Sequence, residues 1–286
     1  MTPEQSLDSW GPGKVRAEWG PMSLVLEVRR RGRPDDALAR AGGWKAFQVL
    51  EDVAAEYAHL QAPSLELEYV PHSRAAAAML ASTRALQEPD LTPMAAVAGS
   101  IADEVADWLA EQETEKVVVD NGGDIAIRLG PSASARVGLQ AVPQQPGMNY
   151  TLHLDGRQPA WGVATSGLGG RSLTKGIASY VTVLARTAAG ADAAATAVAN
   201  ACTVEDRRIL RVPARSIDPA SDLGDDLVTM GLEPLSQDLW AQALQKGMAK
   251  AEKFRMQGHL AWVRCTGGQL FFVTESLCCL GLSLVA

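Results

Sequence analysis

Residues 162–204, GVATSGLGGRSLTKGIASYVTVLARTAAGADAAATAVANACTV, decide how this chain is read, because a Gly/Ser/Thr-rich loop leads into a β-branched strand and then an Ala-rich helix. Glycine has no side chain to block approach and tolerates positive φ, so Gly167, Gly169 and Gly170 let backbone N–H groups come close to a ligand. The helix expected to start near Gly190 carries Asp192 and Thr196 four residues apart, hence on one face. A carboxylate and a hydroxyl presented together form half of a site for a hard cation.

Working outward, residues 150–154, 162–165 and 181–185 read as strands flanking that site. Upstream, 117–119 and 125–129 read as two strands around Asp120-Asn121-Gly122-Gly123-Asp124, where a hairpin is the plain reading. Thr92-Pro93 is a helix start: Thr can cap an orphan N–H, and Pro at the first position has none to lose. The small side chains of 94–100 predict a close approach, either by another helix or by a ligand. Further strands are expected at 23–28 and 65–70, and helices at 44–60, 73–86 and 236–257. A hairpin is expected at 260–265 and 269–273, and a polar connector at 205–226. Helices and hairpins without regular βαβ alternation predict an α+β fold, and 286 residues suffice for one large domain or two small ones.

Composition narrows the partners. A hydrophobic fraction of 47% with 21% charged residues is that of a globular protein, and a net charge of -7 argues against nucleic acid as a partner. The N-terminus carries Glu4 and Asp8 and no apolar core of a secretory signal, so a cytoplasmic location is expected. The apolar run 277–286 is about half of what a membrane-spanning helix requires, so no membrane association is expected. Cys202, Cys265, Cys278 and Cys279 contain no CxxC pair and suit a reducing compartment. Cys278 and Cys279, as neighbours, read as buried thiols.

Familiar enzyme signatures are incomplete. Residues 167–172 fall short of the dinucleotide fingerprint, since Ser172 stands at its last position, and Lys175 is followed by Gly176 rather than by the hydroxyl of a P-loop. His59, His72, His153 and His259 lie at no zinc-ligand spacing, and Ser166 lacks the nucleophile-elbow context.

Five segments in order do carry a resemblance: Pro93-Met94-Ala95-Ala96-Val97-Ala98-Gly99, Asn121-Gly122-Gly123-Asp124-Ile125, Ala164-Thr165-Ser166-Gly167, residues 181–185, and Ala191-Asp192-Ala193-Ala194-Ala195-Thr196. Together, over residues 93–202, they resemble the ApbE-like superfamily, which includes FAD:protein FMN transferases, and more closely its branch of small soluble proteins. The resemblance implies a single domain over 1–286 with an α+β fold of mixed or antiparallel sheets and packed helices, one that holds FAD or a related nucleotide-like pyrophosphate, with magnesium. Asp192 and Thr196 would face the metal. Asn121, Gly122, Gly123, Asp124, Thr165, Ser166 and Gly167 would line the pocket, and Arg171 and Lys175 are the candidate phosphate-binding cations. The transferases' His-Ile-Asp-Pro-x-Thr-Gly segment is here Gly170-Arg171-Ser172-Leu173-Thr174-Lys175-Gly176, without histidine or carboxylate, so flavin transfer to a threonine-containing peptide is expected to fail. The competing expectation is a non-catalytic homo-oligomer or interaction module whose Ala/Gly segments pack on one another or on a partner.

Overall fold

A computed structural model describes residues 4–139 and 150–274 and the backbone of 283–285. The chain opens with an antiparallel meander, β1 (Ser6–Gly11), β2 (Lys14–Trp19) and β3 (Met22–Arg30), and the short β4 (Arg33–Pro34) folds back on β3. Helices α1 (Asp36–Glu56) and α2 (Arg74–Ala85) follow, and a 3-10 turn at Pro93–Ala96 leads into α3 (Val97–Ala110). Next come β5 (Lys116–Asn121), β6 (Asp124–Leu129), β7 (Ser134–Leu139), β8 (Tyr150–Asp155), β9 (Ala160–Ser166) and β10 (Tyr180–Ala185). The chain then runs through α4 (Ala188–Ala201), β11 (Ile209–Pro213), β12 (Leu227–Leu232), α5 (Gln237–Met256), β13 (Trp262–Gly267), β14 (Leu270–Val273) and β15 (Ser283–Val285).

The main sheet runs β1-β2-β3-β5-β6-β9-β10-β13-β14, with β4 beside β3. A small sheet, β15-β8-β7, packs on part of one face, β11 and β12 pair separately, and every strand pairing among the described residues is antiparallel. This is the expected α+β architecture.

Strand alternation sorts the side chains into two cores. Val117, Val119, Ala126, Ala164, Val181 and Val183 face the helices. Val118, Ile127, Val163, Leu184 and Trp262 face the small sheet. Removing a Leu or Ile side chain of this kind from water contributes about 2 kcal/mol, so a register slip in any central strand would expose one face to the wrong layer. The helical layer closes tightly against the sheet: a Cβ on Gly162 would stand 2.0 Å from the carbonyl oxygen of Thr187, and one on Gly99 2.3 Å from that of Ala188. Only glycine permits α4 to sit so close to both β9 and α3. The small residues of 94–100 are thus partly consumed by helix packing within the chain.

Several boundaries differ from the sequence reading. Helix α1 starts eight residues before the expected 44, because the Asp35 carboxylate accepts the Leu38 N–H at 2.9 Å as an N-cap. Its Gly42 and Gly43 give room to Leu26, Leu109 and Leu7. Residues 65–70 form no strand: the Arg84 guanidinium takes the carbonyl oxygens of Ser64 and Leu67, and Val70 is 76% exposed. Thr92 precedes the 3-10 turn without capping it; its hydroxyl donates to Asp222 instead. The expected connector 205–226 contains β11, which pairs with β12. Cys278, Cys279 and most of the apolar run 277–286 lie outside the described residues.

Candidate functional site

The site forms where the β5–β6 turn, the end of β9 and the first turns of α3 and α4 meet. Its turn follows from the sequence Asp120-Asn121-Gly122-Gly123-Asp124. Gly122 and Gly123 adopt φ of 69° and 108°, and the Asp120 carboxylate accepts the Gly123 N–H at 2.8 Å, an Asx-type closure of the hairpin. Asn121 projects to the helical side and donates from Nδ2 to the Ala98 carbonyl at 3.2 Å, tying the turn to the start of α3.

A cavity of about 580 Å³ opens between these elements, a size that suits a cofactor-sized ligand. Asn121, Gly122, Gly123, Asp124, Thr165, Ser166, Gly167, Arg171, Asp192 and Thr196 all line it. Lys175 does not. Its ammonium is held between Asp90 at 2.6 Å and Asp226 at 2.7 Å, where it fastens the loop after β11 to the segment before the 3-10 turn. Burial is offset there by two carboxylates, which hold the Lys175 pKa above its usual value.

Asp192 has two tasks. Its Oδ2 accepts the Gly99 N–H at 3.0 Å and the carboxylate also takes the Ala98 N–H, so it caps the start of α3 while lining the cavity. Burial pushes its pKa up to about 7, helped by Asp103 and opposed by those two amide bonds. Asp124 is raised well above the usual carboxylate range by burial and by Asp192, and is drawn back by the Thr165 N–H and by Arg171. The Arg171 guanidinium lies over the turn: its Nη1 is 2.8 Å from where a Gly122 Cβ would be, and Nη2 donates to the Pro21 carbonyl at 3.1 Å.

The donors on the helical side are oxygens, those of Asp124, Asp192 and the Thr196 hydroxyl, which itself donates to the Ala95 carbonyl at 3.5 Å. Two carboxylates whose pKa values burial raises, Asp124 further by Asp192 and Asp192 further by Asp103, gain from a divalent cation, and oxygen donors suit a hard one. No group of three or more His, Cys, Asp or Glu forms a complete metal cage among the described residues. A cation here would therefore need oxygen atoms from its ligand or from water. The four histidines are absent from the cavity lining. Asp120 and Thr182 are among the lining residues that the sequence reading did not assign to the site. Asp120 read as a turn residue, and Thr182, whose hydroxyl lies 3.0 Å from that of Thr165, read as part of a buried strand.

A three-layer α+β fold with a carboxylate-lined cavity at the sheet's end defines the class. Residues 7–271 match the family described as AbpE bacteria, and the chain belongs to that family. Among curated relatives, a UPF0280 protein of Methanopyrus kandleri is 38% identical over 51% of this chain and 57% of its own length. A UPF0280 protein of Methanothrix thermoacetophila is 42% identical over 39% of this chain and 46% of its own. The chain thus spans about half the length of the curated relatives it matches. Among solved structures, the flavin transferase ApbE of Vibrio cholerae is similar with a TM-score of 0.50 and 15% identity, covering 95% of this chain and 97% of that one, a likeness of fold. The ApbE-like resemblance drawn from the five segments is borne out at the level of family and fold.

Proposed function

We propose that the cavity binds FAD or a related nucleotide-like pyrophosphate together with a magnesium ion. The observation that carries this reading is the meeting of Asp124 and Asp192, from opposite ends of the site segment, beside a glycine turn and the Arg171 guanidinium. Asp192 and Thr196, with Asp124 opposite, hold the cation. Arg171 and the N–H groups around Gly122, Gly123 and Gly167 bind the phosphate oxygens. When bound, the cation supplies stabilisation of negative charge on the pyrophosphate. Were the site catalytic, its reaction class would be transfer at the pyrophosphate: an acceptor hydroxyl would bond to phosphorus as the bond to the bridging oxygen breaks, the nucleotide monophosphate would leave with that oxygen, and the proton would pass to water, since residues 170–176 carry no histidine to take it.

A cytoplasmic setting is part of this proposal, in keeping with the free thiols of Cys202 and Cys265. The reading is tested by thermal melting with FAD, with and without magnesium. A ligand at a hundred times its dissociation constant stabilises the native state by about 2.7 kcal/mol, and EDTA is expected to remove much of that shift. The absence of any shift with flavins and nucleotides overturns the reading. Labelling of a threonine-containing peptide from FAD is expected to fail, since Arg171 and Lys175 stand in the loop where the transferases carry histidine.

A further inference from the structure

The cavity reaches both faces of the main sheet, and its carboxylates divide between them. Ala126 faces the helical core, so Asp124, two residues earlier on β6, emerges on that side with Asp192. Val118 faces the small sheet, so Asp120, two residues later on β5, emerges on the opposite side. Its neighbours there are Ile125, its cross-strand partner, and Val163, with the paired hydroxyls of Thr165 and Thr182 beyond them.

Oδ1 of Asp120 is fixed by the Gly123 N–H at 2.8 Å, which aims the side chain and leaves the second oxygen for a ligand. Neither Asp120 nor Asp124 forms an ion pair among the described residues, but the field of Arg171 reaches Asp124, whereas Asp120 has the Gly123 N–H alone to oppose its burial. Asp120 is half-buried, and with one oxygen engaged by Gly123 the other is free to accept from a ligand donor. Phosphate cannot be that donor, because it brings a like charge.

Resting on the nucleotide-binding reading above, we infer that Asp120 is a specificity-determining residue: it accepts a hydrogen bond from an uncharged, donor-bearing part of the ligand, a ring N–H or a sugar hydroxyl. The phosphates are thereby confined to the helical side with Asp124 and Asp192. The chemistry selected is a pyrophosphate that carries a neutral donor-rich head, and inorganic pyrophosphate lacks that head.

The test is titration of the full chain with FAD, ADP and inorganic pyrophosphate in saturating magnesium, comparing wild type with Asp120→Asn, which keeps the acceptor for Gly123. The expected result is a loss of about tenfold in FAD affinity, the size of one charge-assisted hydrogen bond, with pyrophosphate binding unchanged or tighter. A parallel loss for ADP assigns the donor to the adenosine half, and its absence assigns it to the flavin half. A bystander carboxylate behaves in the opposite way: removing its negative charge tightens FAD and pyrophosphate alike, and that outcome overturns the inference. Equal weakening of both overturns it too, since Asp120 then acts only through the turn. Failure of wild type to bind FAD at all is a failure of the parent reading, and circular dichroism of Asp120→Asn separates either result from misfolding.

Discussion

Asp103 and Asp192 are exchanged between two helices: each carboxylate accepts an N–H from the first turn of the helix that carries the other. Asp103 on α3 takes the Ala189 N–H of α4 at 2.8 Å, and Asp192 on α4 takes the Gly99 N–H of α3 at 3.0 Å. Each helix thus supplies an acceptor for an otherwise unpaired N–H in the first turn of the other. The exchange fixes the relative position of α3 and α4, and so of the cavity between them. Arg128 compensates one member only, bonding Asp103 at 2.9 Å and Asp107 at 2.7 Å. Asp192 is left available to a ligand.

That asymmetry sets a pH dependence. With its pKa raised to about 7 from 3.8, Asp192 holds its proton in the folded state over a window where the unfolded chain has lost it. Its contribution to stability is therefore full below the unfolded value, falls as pH rises toward 7, and is level above. Asp192→Asn keeps an acceptor for Gly99 and carries no charge. In urea denaturation without ligand, the variant is expected to gain on wild type between pH 5 and pH 8. In magnesium titrations it is expected to lose the metal-dependent shift. A constant difference across that range would show that Asp192 does not titrate there.

The close approach of α4 to β9 predicts a backbone clash. In Gly162→Ala the new Cβ would meet the Thr187 carbonyl, and backbone cannot swing aside as a flexible side chain can. A loss of about 2 kcal/mol is expected from overpacking of this kind, with weaker ligand binding as α4 and its Asp192 move. The midpoint of chemical denaturation and the FAD affinity measure the two effects. An unchanged midpoint would mean that the layers are less tightly apposed.

Arg171 and Lys175, four residues apart in one loop, should separate cleanly. Arg171→Ala removes the guanidinium over the glycine turn and is expected to weaken FAD binding about tenfold, the range of a charge-assisted hydrogen bond, with little change in melting temperature. Lys175→Ala leaves Asp90 and Asp226 facing each other without their shared cation, so a lower melting temperature and an unchanged FAD affinity are expected. Calorimetric titration beside thermal melting checks both, and equal affinity losses would contradict the placement of Lys175 outside the cavity.

Much of this was legible in the chain because it depends on local rules. The Asn-Gly-Gly turn, the 3.6-residue pattern of α5 and the four-residue spacing of Asp192 and Thr196 are set by backbone geometry within a few residues. The N-terminal hairpin β1–β2 was not read. Its strands place Leu7, Val15 and Ala17 toward α1, whereas Asp8, Arg16 and Glu18 face away, a pattern that gains meaning only beside β3. The same holds for β7, whose buried positions are buried because β8 and the main sheet cover them.

Sequence alone determined which residue types the site would use and the fold class that carries them, since glycine turns, caps and apolar periodicity are properties of short segments. Tertiary structure alone decided which of them meet. Lys175 and Arg171 have equal claims in the loop, but one is drawn to Asp90 and Asp226 and the other to the cavity. Asp120 reads as a turn residue until the two faces of the sheet are known. The reason is physical: burial and the fields of distant charges set what a carboxylate or a lysine can do, and both are created only when segments far apart in the chain close around it.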